Sequence, residues 1–157
     1  MFEKVKELGG YLFGIAIFIG LLALPIIFIK GSFWASENLL PPLIAIGWLA
    51  LALDILILLP LSLFKSLRGF TGSVIFLSSF IFGLVTWLMG FVLTYAIWGL
   101  WAVIIGFLFF GGGVVPIALL ATLIKGAWEP FFTLIALVVL TFGSRVGGVL
   151  IAGWASD

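Results

Sequence analysis

The chain contains no cysteine and no histidine. It therefore has no thiolate nucleophile, no imidazole acid or base, and neither of the two commonest soft or borderline metal ligands. Zinc, haem and iron-sulfur centres held by this chain alone are excluded, and no cofactor is expected. Charge is also scarce. Only 8% of the 157 residues are charged and the formal net charge is +1, against about 25% charged residues in soluble domains. The cations stand in ones and twos between apolar runs, so no basic face is offered to nucleic acid. Of the six acids, Asp54 is alone in its segment, which leaves paired-carboxylate hydrolysis without a second group. Ser and Thr have no His base, and no spacing places a Ser-Lys dyad. An enzyme is not expected.

The chain is 65% hydrophobic, and no side chain between Gly72 and Ile124 is charged. A hydrocarbon core about 30 Å thick needs roughly 20 apolar residues in a helix rising 1.5 Å per residue. That stretch is long enough to cross twice. The expected fold is an all-α polytopic integral membrane protein, one transmembrane domain over residues 1–157. It is built of five helices with short loops, about 8–29, 42–64, 73–94, 99–124 and 130–152. The first apolar run exceeds a signal-peptide core and lacks a small-x-small cleavage site, so it is read as a retained helix.

Local signals set these boundaries. Gly10 and Gly14 form a GxxxG spacing that lets another helix approach. Lys30 to Asn38, with Lys30, Trp34 and Glu37, is read as an interfacial loop, and Pro41-Pro42 suits the first turn of the next helix. Lys65 and Arg68 mark the second polar connection. Tyr95, Trp98 and Trp101 suit the headgroup level, and Lys125 to Pro130 forms a compact turn. With five crossings, Lys4, Lys6, Lys65, Arg68 and Lys125 fall on one side and Lys30 on the other, which predicts N-in and C-out. No internal repeat is visible.

Three groups of residues could carry function. Asp54 and Arg145 are ionisable groups inside predicted spans, where each costs about 2.5–3.5 kcal/mol on insertion scales. The leading reading is a structural ion pair or hydrogen bonding within the bundle. A titrating proton or cation site at Asp54, with Arg145 as counter-charge, comes second. Snorkelling by Arg145, with Asp54 protonated or in contact with another subunit, comes third. Ser79, Gly83, Thr86, Gly90 and Thr94 recur at helical spacing on one stripe, read as a packing face before a polar pathway. Gly111, Gly112, Gly113 and Pro116 predict a kink or local unwinding, which a broken-helix ion site would also use.

The expected partners are the lipid bilayer and other transmembrane helices, in a homo-oligomer or hetero-complex. The expected function is that of a non-catalytic accessory, assembly or regulatory membrane subunit, in a bacterial-type inner membrane by compact size. The alternative is a small channel or transporter using Asp54, Arg145 and the broken fourth helix.

Overall fold

The computed structural model describes residues 2–109 and 112–154, apart from the side chains of 2–8, 21, 22, 24 and 25. The described residues form helices and turns with no strand. In order these are α1 (Phe2–Asn38), α2 (Leu40–Leu53), a π-helical turn (Asp54–Leu58), α3 (Leu59–Leu61), a 3-10 turn (Lys65–Leu67), α4 (Arg68–Leu108), α5 (Val114–Lys125) and α6 (Trp128–Gly153). Three stretches are long and apolar enough to cross a bilayer: Leu40–Leu61, Lys65–Leu108 and Trp128–Gly153.

The most extensive helix pairing is the antiparallel contact of α4 with α6, while the hydrophobic core, Ile29, Phe91, Val103 and Val114, lies where α1, α4 and α5 meet. Gly72 lies against Gly148 and Ala152, Gly83 against Thr141, and Arg145 reaches Ser79. A Cβ on Gly72 would stand 2.6 Å from the Gly148 carbonyl oxygen, and one on Gly148 would stand 2.6 Å from the Phe76 nitrogen. The backbones are therefore as close as glycine allows, a spacing that gives dispersion contact where lipid supplies no hydrophobic drive.

Helix α1 differs from expectation. The segment Lys30 to Asn38 is not a loop: α1 runs unbroken to Asn38, whose side-chain amide donates to the Trp34 carbonyl at 2.9 Å. The turn comes at Leu39, where Pro41 and Pro42 withhold the next two amide donors. The chain then enters α2, which begins at Leu40 and continues through α3 to Leu61, rather than to Phe64. Among the described side chains of α1, those that pack on other helices lie toward its end. Phe28 packs edge-on against Trp87 and Phe107, and Phe33 against Phe91 and Tyr95. Residues 9–20 are exposed, and a Cβ at Gly10 or Gly14 would meet nothing within 4 Å. The GxxxG spacing thus faces no helix of this chain.

The expected fourth crossing is also corrected. Gly99 adopts φ 78° and ψ −168° inside α4, a conformation outside the helical region. The chain folds back there, because Phe107 lies beside Trp87 and Phe91 at ring distances of 6.0 and 6.1 Å. A straight helix would separate Phe91 and Phe107 by about 24 Å. A second reversal follows: a Cβ on Gly113 would stand 2.9 Å from the Gly106 carbonyl oxygen, and Thr94 Oγ1 donates to the Val114 carbonyl at 3.0 Å.

The direction of α5 follows from α6. Thr86 and Thr141 are level, 3.2 Å apart between hydroxyls. Gly99 lies thirteen residues after Thr86 and Trp128 thirteen before Thr141, each about 20 Å along an antiparallel helix. The Gly126–Trp128 turn therefore sits at the same end as Gly99. Residues 100–109 lead from that end to the level of Gly90 and residues 112–125 lead back to it, a hairpin of two short helices. The end of α6 and the Lys65–Arg68 turn share the opposite end, against the expected placement of Lys125 beside Lys65.

Candidate functional site

Asp54 opens the π-helical turn, in which the Leu59 amide reaches back five residues to the Asp54 carbonyl. Pro60 explains the wide turn. It has no amide donor, and its ring would clash with the carbonyl four residues back in a regular helix. The turn places the Asp54 side chain against α4, where it is buried. Ser78 Oγ donates to Asp54 Oδ1 at 3.0 Å, while Asp54 Oδ2 is buried with no hydrogen-bond partner.

Arg145 is placed differently. Its Nε donates to Ser79 Oγ over 3.4 Å, and its guanidinium carbon lies 5.0 Å from the Phe80 ring centroid. Ser79 Oγ in turn donates to the Phe76 carbonyl at 2.6 Å. Asp54 and Arg145 thus sit at one level on neighbouring serines of α4, but no ion pair joins them. Of the expected ion pair or hydrogen bonding within the bundle, the structure has the second, because successive residues of a helix point about 100° apart. Ser78 and Ser79 each hold one charged group on a different flank.

The Ser79, Gly83, Thr86, Gly90, Thr94 stripe is occupied by packing along its length. Ser79, Gly83 and Thr86 face α6, and Gly90 and Thr94 face the start of α5. Val114 and Val115 wedge between Gly106 and Gly90, where added Cβ atoms would stand 3.2 Å from the valine Cα atoms. Of the predicted break, Gly111 lies outside the described residues, while Gly112 and Gly113 form the reversal. Pro116 does not kink a helix. It occupies the first turn of α5, where its missing donor goes unneeded, and the Ile117 amide still bonds to Gly113 at 3.1 Å.

Three contributors escaped the sequence reading. Pro60 was a visible signal for the irregular turn at Asp54. Gly148 and Ala152, four residues apart, mark the α6 contact with Gly72. Ser78 carried no signal beyond adjoining Ser79.

These features define an all-helical protein with three helices of membrane-spanning length and composition, and a buried carboxyl between two of them. No protein-family model, no curated protein and no solved structure matches the chain.

Proposed function

We propose that this is a non-catalytic integral membrane protein that acts by helix association, as an accessory or assembly subunit or a homo-oligomer. The observation that carries the reading is α1. It is a 37-residue helix, about 55 Å long, and residues 9–20 of it are exposed. Tyr11, Phe13 and Phe18 are exposed beside Gly10 and Gly14, where an added Cβ would meet nothing within 4 Å. Small residues on a lipid-immersed helix mark where another helix packs. Purification in mild detergent with mass measurement tests it. The expected outcome is an assembly larger than one chain, reduced to monomer by Gly10→Leu with Gly14→Leu. A monomeric wild-type protein in both detergent and lipid nanodiscs defeats it.

The orientation proposed places the Lys65 end in the cytoplasm. Lys4, Lys6, Lys65 and Arg68 lie toward that end, and Lys30 and Lys125 toward the other, so the positive-inside rule still favours N-in. With α6 ending beside Gly72, the C-terminal end of α6 also faces inward. A bacterial-type inner membrane remains the proposed location, on compact size and short loops. The second reading, a small channel or transporter, has the free Asp54 Oδ2 in its favour. Flux through liposomes that is lost in Asp54→Asn would establish it.

A further inference from the structure

Helices α2 and α6 both lie on α4 yet stand apart from each other. The cleft between them holds two adjoining cavities, of about 500 and 290 Å³, that share Leu51 and Leu140 as wall residues. Glycines normally mark where helices touch. Here Gly47 on α2 and Gly143 and Gly147 on α6 line the walls, and a Cβ on any of them would meet nothing within 4 Å. The upper floor is apolar, made by Phe82 and Met89. Asp54 lines the lower part, with Oδ1 taken by Ser78 and Oδ2 buried without a donor.

We propose that this cleft binds a lipophilic primary amine, with its nitrogen at the Asp54 carboxyl, which turns its unpartnered Oδ2 toward the cleft to receive it, and its hydrocarbon tail lying over Phe82 toward Ile44. A buried carboxyl oxygen without a partner is costly: an ammonium would donate to it, and if the carboxyl keeps the proton its O–H would donate to the amine nitrogen. The acid and amine together are electrically neutral whether the proton sits on oxygen or on nitrogen, the condition apolar walls impose. An anionic headgroup would instead add like charge. No cation of the chain competes: Arg145 is held by Ser79 and Phe80 and does not line the cleft. Ile44 is ten residues from Asp54, about 15 Å along the helix, which fits an extended alkyl tail. The site deepens the second functional reading and rests on it only in taking Asp54 as a ligand-facing group. Association through α1 stands or falls separately.

The test titrates the purified full chain in maltoside micelles with dodecylamine, and in parallel with dodecanol, counting bound molecules by native mass spectrometry. One amine per chain is expected, bound at least ten-fold more tightly than the alcohol. Asp54→Asn should weaken it at least ten-fold, as should Gly47→Leu, which fills the cleft without a backbone clash. Elution volume and helical circular dichroism matching the wild type qualify each variant. Should Asp54→Asn fail to fold, Gly47→Leu and the amine-to-alcohol ratio decide. Equal binding of amine and alcohol, unchanged binding in either folded variant, or unsaturable uptake of amine overturns the proposal. Liposome flux measures the channel or transporter reading independently, so binding without flux keeps the site and removes that reading.

Discussion

Glycine does opposite things at neighbouring positions of α6. At Gly148 the missing Cβ is what permits contact with α4, whereas at Gly143 the space beside the Cα is open. Gly148→Ala should therefore lower stability by about 1–3 kcal/mol through overpacking. Gly143→Ala should hold or raise it by up to about 1 kcal/mol, the ordinary helical gain. Thermal unfolding of both variants in one detergent compares them, and equal shifts would refute the close α4–α6 contact. Asp54 and Arg145 were legible in the sequence as exceptions, because charge inside an apolar run is conspicuous. Their partners were not, since which of two adjacent serines a side chain meets depends on helix rotation, which composition does not encode. Their shared depth arises because α2 and α6 both start at the Gly99 end and run alongside α4 to the level of its two serines.

At the scale of the element, the hairpin depends on two backbone positions of different kind. Gly126 closes α5 in the left-handed helical region, at φ 69° and ψ 22°, a conformation Asn tolerates. Gly99, at φ 78° and ψ −168°, occupies a region open essentially to Gly alone. Gly126→Asn should be nearly neutral, while Gly99→Asn should cost about 1–3 kcal/mol, both read by unfolding temperature. If the two are equivalent, the reversal at Gly99 is not the strained point of the fold. The Gly-rich interruption before Pro116 was visible from sequence, and a break was expected there. Its outcome was not, because residues 99–124 have the length of one crossing, and length alone does not distinguish a kinked span from two half-helices. What separates them is the pair of close approaches at Gly90 and Gly106, which lie far apart along the chain. By contrast α6, bounded by Pro130 and Trp154, was placed within two residues of its observed limits.

For the whole molecule, the two reversals bring the Gly126–Trp128 turn back to the Gly99 end and the end of α6 beside the Lys65 turn. Because the chain has no native cysteine, single substitutions give unambiguous labels. In intact cells or sealed vesicles, an impermeant maleimide should reach Lys65→Cys and Trp154→Cys from one face, and Lys125→Cys from the other. Labelling of Lys65→Cys and Lys125→Cys from the same face would restore the five-crossing arrangement. The helical class and the aromatic residues near the Gly99 end were readable from composition and hydropathy, since lipid imposes those directly. Sidedness was not, because it turns on the parity of crossings and one misjudged segment inverts everything after it.

The hairpin begins and finishes at one face, so it behaves as an insert between α4 and α6 rather than as a link in the order of passages. A shortened chain that joins Trp98 to Trp128 through a few linker residues would keep every remaining helix pointing the way it does now. What such a chain would lose is the cover over Phe91, which Val103 and Val114 help to bury completely.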